Sequence, residues 1–296
     1  MDQTNKILSD QMKQLLQVLD ALENEPSKLS LLIKMAEGLS LPFEQSINPN
    51  SSLVNNRFAE YFLNRLLIHH AIADEKLNKL AFEYVFLGAL VASGHNARLT
   101  KGKTVPGADL VIAPTSNKES ILIEKFSLKT EGADNAQPGA IKISKLMEAR
   151  WMRDRDAAGL VEGIRERILP HLNQYDRIFT LRSFEVSLKE KKAVRYDLVE
   201  IPSDLLRRVS SIKAEDISFD NKEIETSTES EPKKKKQTFS VSVNDENSRP
   251  AFKLIFDGSV EKISINNLIV GEEGPAIIHA SWTVTIPDII RYHGKK

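Results

Sequence analysis

The sequence predicts a chain of mixed α/β (α+β) class, with N-terminal helices, a central mixed β-sheet flanked by helices, and a β-rich C-terminal portion. Two observations carry the sheet. Runs rich in β-branched residues at 109–113 and 120–128 flank the polar segment Pro114-Thr115-Ser116-Asn117-Lys118 as a hairpin, and strand-like runs return at 177–186 and 192–201. A third observation carries the helices: apolar residues recur at three- and four-residue spacing before and between those runs.

In chain order, residues 4–24 place Ile7, Leu8, Met12, Leu15, Leu16, Leu19 and Leu22 on one helical stripe, either core or partner surface. A second helix, 27–37, follows Pro26 and stops near Gly38. Asn48, Pro49 and Asn50 mark a loop over 45–51. A long helix from Ser52 carries Val54, Phe58, Tyr61, Phe62, Leu66 and His69, and the pair His69 and His70 at its end reads as capping and packing. The next helix, 74–94, puts Leu77, Leu80, Tyr84, Leu87 and Val91 on one stripe with Glu83 near its edge. Residues 94–103 form a basic loop, suited to phosphate contact or simply solvated.

After the hairpin, Ser144 is placed to cap a helix through Met152 that presents Lys145, Glu148 and Trp151. An amphipathic helix over 157–172 is limited or kinked by Pro170. A short helix at 203–209 leads into a charged, flexible stretch that ends in Lys233 to Lys236. Strands at 238–243, 252–256, 262–268 and 276–286 then either extend the central sheet or form a small β subdomain. The organisation is therefore a helical addition at 1–50, a core at 51–212, a connection at 213–237 and a β-rich portion at 238–296 that packs on the core.

Composition narrows the function classes. Lys plus Arg equals Asp plus Glu, 41 each in 296 residues, which argues against a polycation that coats nucleic acid indiscriminately but permits a basic cleft with an acidic back. The chain has no cysteine, so disulfides and Cys-ligated zinc or iron–sulfur sites are excluded. Asp2, Lys6 and Asp10 interrupt the N-terminus, unlike a secretory signal. The longest apolar-rich stretch, 80–91, is shorter than the roughly 20 residues a bilayer requires. The expectation is a cytoplasmic protein without a membrane partner.

The hairpin carries the chemistry. Asp109 heads its first strand, while Ser127 and Lys129 share one face of the second because strand side chains alternate. An acid and a lysine meeting this way can hold a divalent metal and orient or deprotonate a water for attack on a phosphodiester. As a bare spacing the pattern is very weak, since most Asp and Lys pairs so placed are solvated hairpin residues.

Several segments decide between these readings: Pro106-Gly107-x-Asp109, Leu128-Lys129-Thr130-Glu131, Lys145-x-Met147-Glu148, Arg177-Ile178-Phe179-Thr180-Leu181-Arg182, Leu198-Val199-Glu200-Ile201-Pro202 and, upstream, Arg65-Leu66-x-x-His69-His70 with Phe82-Glu83-x-x-Phe86. In order and over about 58–288, the chain resembles the SmaI-type type II restriction endonucleases of the PD-(D/E)XK nuclease group. The resemblance implies a PD-(D/E)XK core, built as helix, β-hairpin, helix, strand, strand. It implies Mg2+-dependent cleavage of double-stranded DNA at a GC-rich palindrome such as CCCGGG, by a homodimer whose host also makes a matching DNA methyltransferase.

Carried onto this sequence, Asp109, Leu128 through its carbonyl and a second carboxylate hold the metal, and Lys129 positions the water. One position departs from the group's pattern: Ser127 stands where Asp or Glu is usual, two before the lysine. Glu83, Glu131 and Glu148 are the candidates for the missing carboxylate. Glu124 has the opposite parity to Lys129 and should point away. Two rivals stay open: a repair or structure-specific nuclease of the same fold, and a non-catalytic DNA-binding protein on a decayed nuclease scaffold, which Ser127 keeps in view.

Overall fold

A computed structural model describes residues 3–100, 107–113, 124–131, 138–152, 155–221, 237–258, 260–271 and 274–287. The hairpin turn 114–118, Lys101 and Lys103, and the four lysines 233–236 lie outside the described residues. Helices α1 (Gln3–Ala21) and α2 (Pro26–Gly38) lead to strand β1 (Phe43–Ile47), then α3 (Asn56–Ile72) and α4 (Lys79–Ala92). Strands β2 (Asn96–Leu99), β3 (Leu110–Ala113), β4 (Glu124–Glu131) and β5 (Ala140–Glu148) follow. Helices α5 (Ala157–Gly163) and α6 (Leu169–Leu172) precede the long pair β6 (Arg177–Leu188) and β7 (Lys191–Ile201). The chain ends with α7 (Ser203–Arg207), β8 (Ser218–Asn221), β9 (Gln237–Asn244), β10 (Pro250–Asp257), β11 (Lys262–Ile269) and β12 (Ile277–Thr285).

Seven strands form the central sheet in the order β1-β12-β7-β6-β4-β3-β2, and five form a second sheet in the order β5-β11-β10-β9-β8. In the central sheet β4 and β6 run parallel, with Lys129 opposite Thr180, while the other paired neighbours are antiparallel. The parallel step requires a long crossover, and β5, α5 and α6 supply it. Lys189 and Glu190 join β6 to β7 with φ of 50° and 65°, the primed two-residue turn whose twist matches a hairpin. The C-terminal strands thus do both things the sequence left open: β12 joins the central sheet, and β9 to β11 build the second one.

Alternation along the strands sorts the core into two layers. Phe126, Leu128, Phe179, Tyr196 and Trp282 face α3 and α4, where Phe58, Phe62, Phe82 and Phe86 complete an aromatic cluster. Phe62 stacks on Trp282 at 4.5 Å, so the tryptophan is core. Gly88 allows α4 to approach α3 closely, since a side chain there would run into the Tyr61 ring. The opposite face packs Ile178 and Val199 against β5, α5, α6 and the second sheet.

Four expectations are corrected. Residues 140–148 form β5 rather than part of a helix capped by Ser144: Ile141 and Ile143 alternate inward and pair with β11, with a register shift before Met147. Residues 43–47, partly read as loop, pair along β12, and 96–99 in the basic loop form β2 against β3. The helix at 157–172 is helical throughout as expected, with a π-type turn over Ile164–Ile168 ahead of Pro170, which has no N–H to donate back into the preceding turn. Finally, α4 buries Phe82, Phe86, Ala89 and Leu90, leaving Leu80, Tyr84 and Val91 exposed.

Candidate active site

The site lies where β3 and β4 part. Asp109 sits just before β3, its N–H donating to the Phe126 carbonyl at 2.8 Å and its carbonyl accepting from Thr100 N–H at 3.1 Å. Both flanking strands therefore fix its backbone. Beyond it the ladder stops, and the Asp109 carboxylate takes the place of a backbone partner: Leu128 N–H donates to Oδ2 at 2.6 Å. Within a strand, the N–H and C=O of one residue face the same neighbour, so the Leu128 carbonyl is directed to this same gap. Ser127, buried, donates from its hydroxyl to the same Oδ2 at 3.4 Å. In the acidic slot of the motif this chain places a hydrogen-bond donor to Asp109.

Helix α4 brings the second carboxylate. Its start is capped by Asn78, whose side chain accepts from Ala81 N–H at 2.9 Å. The turn before it is pinned to the sheet by Tyr196, whose hydroxyl accepts from Leu77 N–H at 3.1 Å and lies 2.9 Å from His70 Nε2. Burial, then the neighbouring His69, push the His70 pKa down to about 4, so the ring is neutral at pH 7. Held this way, the first turn of α4 sets the Lys79 ammonium 3.2 Å from Asp109 Oδ1 and 3.2 Å from Glu83 Oε1. Two carboxylates from separate elements thus converge on one cation.

Lys129 shares its strand face with Ser127 and is partly buried. Burial lowers its pKa; Asp109 opposes that shift, and the charges of Lys79 and Lys145 add to it. The structure therefore brings Asp109, Ser127, Leu128, Lys129 and Glu83 together.

Glu131 and Glu148 are engaged elsewhere. Glu131 Oε2 accepts from Arg182 Nε at 2.6 Å and Oε1 from Lys142 N–H at 2.7 Å, with both charged side chains buried. Arg182 also donates to the carbonyls of Pro138 and Ala140, tying down the base of the β4–β5 connection. Glu148 lies exposed at the end of β5, paired with Lys145 at 2.8 Å, which with Arg150 lowers its pKa. Glu124 points to the opposite face and meets Arg177, as parity required.

Comparison with known proteins identifies the family. The chain matches the SmaI family, described as type II site-specific deoxyribonuclease, over residues 25–284. The chain belongs to the SmaI family. It is 34% identical over 239 residues to the type II restriction enzyme SmaI of Serratia marcescens, covering 80% of this chain and 84% of that protein. No solved structure matches it. This SmaI-family protein is a type II restriction endonuclease, and such enzymes generally use divalent metals.

The donor set fits a hard cation. Among the described residues, no group of three or more His, Cys, Asp and Glu side chains could hold a metal ion. Two carboxylates and a backbone carbonyl remain, an oxygen set of the size magnesium uses when substrate phosphate and water complete its shell. No helix of the described residues is long and apolar enough to cross a membrane.

Three residues near the SmaI-family site escaped sequence reasoning. Lys79 was hidden as the ordinary i,i+4 partner of Glu83. Burial and then the charge of Lys129 lower the His171 pKa, and burial and then the charge of Asp109 raise that of Tyr175. Both therefore lie within electrostatic reach of the site, and His171 Nε2 and the Tyr175 hydroxyl are buried without a hydrogen-bond partner among the described residues. Nothing in the sequence marked them beyond their place at the end of an amphipathic helix.

Proposed function

We propose that this endonuclease hydrolyses one phosphodiester on each strand of double-stranded DNA within a short GC-rich palindrome, CCCGGG being the first to test. In this reading magnesium is held by Asp109, Glu83 and the Leu128 carbonyl, Lys129 handles the attacking water, Glu131 serves structure and Glu148 is peripheral. The observation that carries it is the Lys79 ammonium, seated 3.2 Å from Asp109 and 3.2 Å from Glu83 beside Lys129. A cation already occupies the point between the two carboxylates.

When bound, the metal stabilises charge developing on the phosphate. The Leu128 N–H and the Ser127 hydroxyl hold Oδ2 of Asp109, leaving Oδ1 to face the Lys79 ammonium. Lys129, its pKa lowered by burial, orients the water and gives up a proton more readily than a solvated lysine.

A palindrome offers each strand the same half-site, so the working unit is a two-fold homodimer. The exposed stripe Leu80, Tyr84 and Val91 on α4 supports this as an apolar surface beside Glu83. The enzyme acts in the cytoplasm beside a methyltransferase of the same specificity, since unprotected host DNA would be cut. The test is Asp109→Ala: cleavage in magnesium is lost, as with EDTA, while palindrome binding remains. Loss of binding together with cleavage would refute the assigned role. The non-catalytic rival draws on Ser127 alone and requires the wild-type chain to bind without cutting.

A further inference from the structure

The sheet face that carries Lys129 continues well past it. Lys129 lies opposite Thr180 and Thr180 opposite Val199, and Arg195 follows on the same face of β7, four residues from Val199. Beside Arg195 come Thr283 on β12 and Glu44 on β1; one row nearer the site come Asp197, Ser281 and Ser46. The second sheet packs on Ile178 and Val199, whereas Arg195, Thr283, Glu44, Ser281 and Ser46 line a groove of about 670 Å³. At about 3.3 Å per residue and about 4.8 Å per strand, Arg195 sits roughly 16 Å from Lys129. One duplex, with a major groove about 12 Å wide, spans both points.

Arg195 is held so that it presents a fork. Its Nε donates to Asp197 Oδ1 at 2.8 Å, and that carboxylate is 3% exposed against 43% for the arginine. The buried acid fixes the plane of the guanidinium. The terminal Nη groups make no hydrogen bond among the described residues and are left to the groove. Side-chain freedom that an arginine gives up on binding is therefore partly given up already. The lining argues against a phosphate track, which takes several lysines and arginines; here one arginine stands with one carboxylate, Glu44, and three hydroxyls. Such a mixture matches base edges, with arginine suited to guanine O6 and N7 and a carboxylate to cytosine N4.

We propose that Arg195 reads a guanine of the recognition sequence in the major groove, with Asp197 as its positioning residue. The inference rests on the reading that the enzyme cuts a GC-rich palindrome, and it places part of that specificity on β7. The two Nη groups donate to O6 and N7 of one guanine, and Asp197 touches no base.

The probe is the cleaved palindrome with 7-deazaguanine, which pairs normally but lacks the N7 acceptor, placed at one guanine of each half-site at a time. Full-length wild type is expected to lose about tenfold or more in kcat/KM at one guanine position. Arg195→Ala, slowed about ten- to hundredfold on unmodified DNA, is expected to lose less than about twofold further at that position. Arg195→Lys keeps the charge without the fork and should not restore the sensitivity. Asp197→Asn should shrink the penalty at that guanine alone, which a general loosening of the fold would not do. Since Arg195→Ala strands a buried carboxylate, Arg195→Ala with Asp197→Asn is measured beside it and should show the same pattern. The proposal is overturned if no guanine exists to which wild type is sensitive and the Arg195 variants are not. A uniform loss on every sequence, with the salt slope reduced by about one, would make Arg195 a phosphate contact instead. Wild-type protein that cuts no GC-rich palindrome would overturn the cleavage reading, and this inference with it, before any variant is made.

Discussion

Replacing Arg182 with Met separates the structural role of Glu131 from a metal-binding one. The guanidinium is fully buried, Glu131 is 3% exposed, and they meet at 2.6 Å. With the arginine gone, the Lys142 N–H is left to hold a buried negative charge among the described residues, a loss of about 3–5 kcal/mol for one-sided removal of such a pair. The double change Arg182→Met, Glu131→Leu leaves no stranded charge. Its remaining cost is the two carbonyls of Pro138 and Ala140 and the Lys142 N–H that loses its acceptor, all uncharged, so it is expected to be more stable than Arg182→Met alone by about 2 kcal/mol. Urea unfolding followed by the fluorescence of Trp151 and Trp282 gives both values, and plasmid cleavage well below the transition gives function. The double variant should cut within about threefold of wild type, an order-of-magnitude allowance for small shifts in geometry. The reasoning fails if Arg182→Met costs less than about 1 kcal/mol. It fails equally if the double variant folds normally and does not cut, which would return Glu131 to the metal site.

Other consequences concern the acids and the cations around them. Glu83→Gln should slow cleavage by about a hundredfold or more, whereas Glu148→Gln should stay within about twofold, and single-turnover rates distinguish the two. Lys79→Met removes the cation a metal must displace, so the half-saturating magnesium concentration should fall about threefold to tenfold; a rise would make Lys79 a substrate contact instead. For His70, the folded pKa of about 4 lies below the unfolded value of about 6.5, so the unfolded chain binds the extra proton between them. Its contribution is full above pH about 6.5 and is lost as pH falls towards 4, amounting to about 3 kcal/mol. His70→Gln should flatten that acid limb, and an unchanged stability–pH curve would remove His70 from the account.

The hairpin was legible because its signal is local. Period-two alternation alone puts Ser127 and Lys129 on one face, and the strand order then sets Asp109 beside them. What failed was set by distant partners. Ser144 followed by the Lys145 and Glu148 pair has the grammar of a helix start, yet β11, more than a hundred residues on, recruits Ile141 and Ile143 into a sheet. The segment Phe43 to Ile47 is too polar to announce a strand and becomes one by pairing with β12. Helix α4 is apolar nearly all round, so periodicity could not choose its buried side; Phe126 and Phe179 in the sheet chose the aromatic one. Glu83 was placed near the site only through family resemblance. The part played by Lys79 needed the fold.

The most direct measurement is incubation of the full-length protein with plasmid DNA carrying CCCGGG in magnesium, beside an EDTA control and Asp109→Ala, followed by sequencing of the fragment ends. The account predicts discrete fragments sharing one palindrome, lost in both controls. Wild-type protein that binds the DNA but leaves it uncut, with magnesium or with manganese, would contradict it.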